Sequence, residues 1–127
     1  MTPTCLIAAH DPFFIQLLKA YAVESGFCVK LAYESQEVIP GIQQESPSII
    51  LIQMDLPGQM KSKEILNSIK ENVETRNIPI LVFYSQLSTD QLEQVNLASA
   101  ILQEPISYED FQNALRKSGV EIKTTIS

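Results

Sequence analysis

Few side chains in this chain could do chemistry, and the best-placed of them is poorly suited to it. Residues 47–58 read PSIILIQMDLPG, an unbroken apolar run from Ile49 to Ile52 followed by Gln53 and then a Pro57-Gly58 turn. Such a run fits a strand covered on both faces, as in a parallel α/β sheet. Side chains at the carboxyl ends of central strands in open α/β sheets face the crevice where ligands bind. Gln53 takes that place, and its carboxamide is neutral and a very weak nucleophile. The only histidine is His10, which could sense pH or hold a metal. It has no cysteine or carboxylate partners at metal spacing, so a side chain hydrogen-bonded to a neighbour is the expected reading. Asp11 precedes Pro12, where a carboxylate favours a helix start. Asp55 sits in the turn after Gln53. Cys5 and Cys28 make no disulfide framework and are read as two reduced, half-buried thiols near strand starts.

The elements that must position these residues follow from the hydrophobic pattern. Residues 5–9 form a short apolar strand, broken by His10-Asp11-Pro12. Phe14, Leu17, Leu18 and Tyr21 recur at helical spacing, and Gly26 ends that helix. Residues 27–32 read as the second strand. Residues 35–44 should be a second helix with Val38, Ile39 and Ile42 inward. Pro40 lacks an amide donor, so this helix is expected to be short, kinked or restarted. The third strand is 48–53. Ser62 is expected to cap a third helix facing inward with Ile65, Leu66, Ile69 and Val73. The fourth strand is 80–84, after the Asn77-Ile78-Pro79 turn. Ser88 with Gln91 reads as a capping box for a fourth helix carrying Leu92 and Val95. Residues 100–103 form a fifth strand, ended by Glu104-Pro105. Ser107 caps a last helix with Phe111, Ala114 and Leu115 inward, and Gly119 ends it. Alternating strands and helices predict a parallel sheet with helices on both faces.

Composition narrows the class. The chain has 127 residues, 45% hydrophobic and 19% charged, which suits one globular domain. Residues 1–119 are expected to form it, with 120–127 a weakly alternating tail or linker. The formal net charge is -6, which argues against binding nucleic acid or an anionic membrane. No apolar run approaches the roughly 20 residues of a membrane span. The N-terminus lacks a basic leader region, so a cytoplasmic location is expected.

Four stretches together resemble the receiver domain of bacterial two-component response regulators: DPFFIQLLKAYAVESGFCV, PSIILIQMDLPG, TRNIPILVFYS and the Glu104-Pro105 step. The resemblance covers the chain to about Gly119. It implies a flavodoxin-like (βα)5 doubly wound parallel five-stranded sheet, strand order 2-1-3-4-5. Receivers of this family take a phosphoryl group onto an aspartate at the end of the third strand. An acid pair after the first strand holds Mg²⁺, a Thr or Ser ends the fourth strand, and a Lys precedes the proline after the fifth. Laid onto this chain, the phosphoacceptor position is Gln53 and the acid pair falls on Ala9 and His10, with Asp11 at a third acidic position. The Thr/Ser position is Tyr84 and the Lys position is Glu104. A switch aromatic position becomes Ile101.

These departures remove the chemistry. Gln53 cannot attack phosphorus, Ala9 and His10 are poor ligands for a hard cation, and Glu104 replaces a positive charge with a negative one. The expected reading is a degenerate receiver, or pseudo-receiver, with no catalytic residue, no metal and no cofactor, acting by phosphorylation-independent protein contact. By resemblance, the interaction face includes Gln94, Ile101, Gln103 and Tyr108, with the first helix as a second candidate. The partners implied are a histidine kinase, another regulator, an output domain or a second copy. Two alternatives stay open. One is a small-ligand sensor using the crevice at Gln53, His10, Tyr84 and Glu104. The other is a cryptic enzyme, for which no nucleophile-base pair stands at a recognisable spacing. A swapped pair is also expected, with the Glu104 carboxylate meeting His10 or the Gln53 amide across the crevice.

Overall fold

The computed structural model describes residues 2–84 and 98–120. Its strands are β1 (Thr4–Ala8), β2 (Cys28–Ala32), β3 (Ile49–Gln53), β4 (Ile80–Tyr84) and β5 (Ala100–Gln103). They pair in parallel in the order β2-β1-β3-β4-β5, a flavodoxin-like doubly wound sheet. The described helices are α1 (Pro12–Glu24), α2 (Val38–Glu45), α3 (Ser62–Glu71) and α4 (Tyr108–Lys117). The helix expected from Ser88 lies outside the described residues, as do Gln94 and the tail from 121.

Period-two alternation divides the core into two layers. Cys5, Ile7, Ile49, Leu51, Leu81 and Phe83 face α1 and α4, where they meet Phe14, Leu18, Phe111 and Leu115. Leu6, Ala8, Ile50, Ile52, Ile80 and Val82 face α2 and α3, meeting Val38, Ile42, Ile65, Leu66 and Ile69. Every residue of β3 is buried, which explains its unbroken apolar run. Full burial of one such Ile or Leu side chain contributes about 1.5–3 kcal/mol.

Most boundaries fall within a residue of expectation, and the exceptions have physical causes. Residues 35–37 form a 3-10 turn and α2 starts at Val38, so Pro40 falls in the first α-helical turn. Its missing donor costs nothing there, because first-turn amides have no intrahelical acceptor. Ser62 does not cap α3. It is the first helical residue, and its Oγ donates to the Met54 carbonyl at 2.5 Å, tying the helix to the loop after β3. Val73 lies beyond the end of α3 and is 70% exposed, so it does not join the core. The cysteines are not both half-buried: Cys5 is fully buried and Cys28 exposed, because β1 lies inside the sheet while β2 is at its edge. Both are free thiols, and burial pushes Cys5 up to about 12. Ser107 does cap α4, accepting from the Asp110 amide at 3.0 Å while Asp110 Oδ2 accepts from the Ser107 amide at 3.2 Å.

Candidate functional site

At the carboxyl end of β3, Gln53 is only 5% exposed. Its position shares the parity of Ile49 and Leu51, which directs the side chain toward the start of α1. There Gln53 Oε1 accepts from the His10 amide at 2.9 Å and the Asp11 amide at 3.2 Å. Its Nε2 donates to Asp55 Oδ1 at 2.7 Å. One carboxamide thus joins the loop after β1 to the loop after β3. A carboxamide suits this double task because it both accepts and donates. Asp11 is occupied as the N-cap of α1, its Oδ1 accepting from the Phe13 amide at 2.8 Å.

A second tie stands beside the first. Buried Ser35 donates its amide to the Pro57 carbonyl at 2.8 Å, and its Oγ accepts from the Met60 amide at 2.8 Å. Gln36 Oε1 accepts from the Gln59 amide at 3.1 Å. The loop after β2 is thereby fastened to the turn after β3. Gly58 makes this approach feasible. Its φ is +133°, and a Cβ there would lie 2.4 Å from Ser35 Oγ.

The remaining positions are scattered around the crevice. Ala9 is 1% exposed and belongs to the apolar cluster that contains Phe14 and Phe83, whose rings lie 5.0 Å apart. His10 is exposed. Tyr84 is half-buried against the α2–α3 layer, on the other side of the sheet from the Gln53 side chain. Glu104 is exposed, its amide donates to the Tyr84 carbonyl at 3.0 Å, and the Glu104–Pro105 peptide is cis. The expected swapped pair is not formed. Lys30 pairs with Glu45 at 3.8 Å, and the Gln53 amide goes to Asp55 rather than Glu104. The sequence reading missed this role for Asp55, which two-residue spacing after a strand end could have suggested. It also missed Ser35, for which only the Pro57-Gly58 turn gave any signal.

The residues do not fit a Mg²⁺ site. A hard cation needs several oxygen ligands, preferably carboxylates. Ala9 supplies none, Gln53 Oε1 is taken by two amides, and the nearby Oδ1 atoms of Asp11 and Asp55 already accept hydrogen bonds. Among the described residues, no group of three or more His, Cys, Asp or Glu side chains is placed to share an ion.

Of the residues expected on the interaction face, Ile101 and Gln103 are exposed on β5. Tyr108 is half-buried, with its ring 5.3 Å from that of Tyr21 on α1 and its hydroxyl 3.4 Å from Ser25 Oγ. Tyr21 also donates to the Ile106 carbonyl at 2.8 Å, so these aromatics bind α1 to the base of α4.

This sheet order, with its crevice at the carboxyl ends of the strands, is the fold of a receiver domain. Solved structures bear this out. The receiver domain of the sensor histidine kinase PA1611 from Pseudomonas aeruginosa, solved with magnesium in its active-site cleft, superposes with a TM-score of 0.82 at 17% identity, over 94% of this chain and 99% of that one. The chemotaxis response regulator CheY4 of Vibrio cholerae gives 0.81 at 17% identity, over 93% and 99%. The signal receiver domain of a modulated diguanylate cyclase from Desulfovibrio desulfuricans gives 0.81 at 16% identity, over 93% and 94%. No protein-family model and no curated protein matches the sequence. Among the described residues no helix is long and apolar enough to cross a membrane.

Proposed function

We propose that this chain is a signalling module of receiver type that does not accept a phosphoryl group and works through protein contact. The observation that carries this reading is the Gln53 carboxamide, buried at the end of β3, where the resemblance puts the phosphoacceptor, with its oxygen and nitrogen both engaged. Phosphoryl transfer to a receiver needs a nucleophilic oxygen, a divalent cation and positive charge around the transferring group. Gln53, Ala9 and Glu104 each withhold one of these. The Gln53 bridge instead holds the loops after β1 and β3 in one arrangement, so the surface presented to a partner does not wait for phosphorylation. A histidine kinase, a second regulator or an attached output domain would meet this surface.

Incubation with acetyl phosphate and Mg²⁺, followed by intact-mass measurement, tests the reading. The chain should gain no phosphoryl mass, and neither should Gln53→Asp, because Ala9 and Glu104 still deny it the metal and the positive charge. A stoichiometric, Mg²⁺-dependent adduct on the wild-type chain overturns the proposal.

A further inference from the structure

The end of the sheet opposite the Gln53 crevice holds a cavity of about 560 Å³. That volume is in the range of pockets that hold small organic molecules. Pro3, Phe27, Ser48 and Pro79 line it, and each is the residue immediately before a strand, β1, β2, β3 and β4 in turn. Parallel pairing gathers these four amino ends on one side of the molecule. The cavity is therefore built by the sheet as a whole and not by a single loop.

Its wall also takes in the C-caps of two helices, Ser25 after α1 and Ser118 after α4. Each helix brings its carboxyl end there, with a partial negative charge of about half an elementary unit that favours a cation. The chain's own bases do not answer it. The last turn of α1 has no basic residue. In the last turn of α4, Arg116 donates to Asn113 Oδ1 at 3.2 Å and Lys117 lines a separate groove beside β5. No residue lining the cavity bears a charge. The lining is otherwise apolar surface from the two prolines and Phe27, with the side-chain oxygens of Ser48 and Asn77 at its exposed rim. An aromatic ring attracts a cation as well. The net charge of -6 adds to the same preference.

We propose that this cavity binds a small organic cation, an ammonium group carried on an apolar body. The ammonium group sits at the converging carboxyl ends of α1 and α4, beside Ser25 and Ser118. The apolar body lies against Pro3, Phe27 and Pro79. An anion of the same size would meet the negative ends of both helices, and a neutral molecule would gain only the apolar contact.

Amide chemical shifts of the full chain, titrated with phenethylammonium, test the proposal. Saturable shifts should cluster at residues 25–27 and 118–120. Phenethyl alcohol, with the same body and no charge, should bind roughly tenfold more weakly, and hydrocinnamate should not bind. Ser48 is exposed, and its amide donates to the Thr4 carbonyl at 2.8 Å through the backbone alone, so its side chain can be changed with the fold kept. Ser48→Lys should abolish phenethylammonium binding, and Ser48→Glu should tighten it about threefold or more. A chain that binds none of the probes, binds all three alike, or shifts around Gln53 instead overturns the proposal. So does binding indifferent to both Ser48 variants. Neither variant touches the Gln53 bridge, so the outcome is independent of the phosphoryl-transfer reading.

Discussion

Replacing Gln53 with leucine tests the bridge most directly. The two side chains are similar in size, so packing against β4 and α1 changes little, while every polar contact of the carboxamide is lost. The His10 and Asp11 amides lose their acceptor, and Asp55 loses a donor. A typical net hydrogen bond contributes about 0.5–1.5 kcal/mol, so the two amide bonds together are worth about 1–3 kcal/mol. Asp55 is exposed and water replaces its partner, so its bond adds little. The buried leucine returns part of the loss, which places the expected destabilisation at about 1–2 kcal/mol. With 127 residues, each kcal/mol moves the thermal midpoint by roughly 4 °C, giving a fall of roughly 4–8 °C. Hydrogen exchange separates this effect from a general loosening. The His10 and Asp11 amides should exchange at least about tenfold faster, beyond any change shared with the β1 and β3 ladder amides. Unchanged exchange at those two amides, whatever the midpoint does, would refute the reasoning that Gln53 holds the loops together.

Other outcomes follow from the same geometry. Gly58→Ala must fit a Cβ at φ +133° against Ser35, and should cost about 1–3 kcal/mol in urea denaturation. In native buffer one thiol, that of Cys28, should react with iodoacetamide, and in urea both should; mass spectrometry counts the adducts. Burial raises the Cys5 thiol to about 12, above its unfolded value of roughly 8.5. The unfolded chain therefore loses this proton first, so the Cys5 contribution is intact below the unfolded pKa and is lost as pH rises toward the folded one. Denaturation midpoints should fall across that interval in the wild type and fall less in Cys5→Ala. Pro40→Ala should shift stability by less than about 1 kcal/mol, because its position in the first turn of α2 leaves no intrahelical bond to regain.

The order of elements was legible in the sequence because it depends on local signals. Continuous burial of β3 shows as an unbroken apolar run, and the α1 and α4 starts show as Asp11 before Pro12 and as Ser107 with Asp110. The residue types at Ala9, Gln53, Tyr84 and Glu104, on which the proposal of a non-phosphorylated module rests, were legible too, since they need no fold to be read. What the Gln53 side chain holds was not. Its bonds reach the His10 and Asp11 amides, 43 and 42 residues away, and only parallel pairing of β1 with β3 brings those amides to its oxygen. The expected meeting of His10 with Glu104 failed for the complementary reason: charge signs show that two groups would attract, not that the fold brings them within reach. Ser62 was read as a cap because serine before a helix commonly caps, and the fold uses its hydroxyl to hold the Met54 carbonyl instead. Local patterning thus determined which segments become strands and helices and which residue types stand at the strand ends. Tertiary structure alone decided which backbone groups the remaining polar side chains satisfy, because those partners come together only when the strands align.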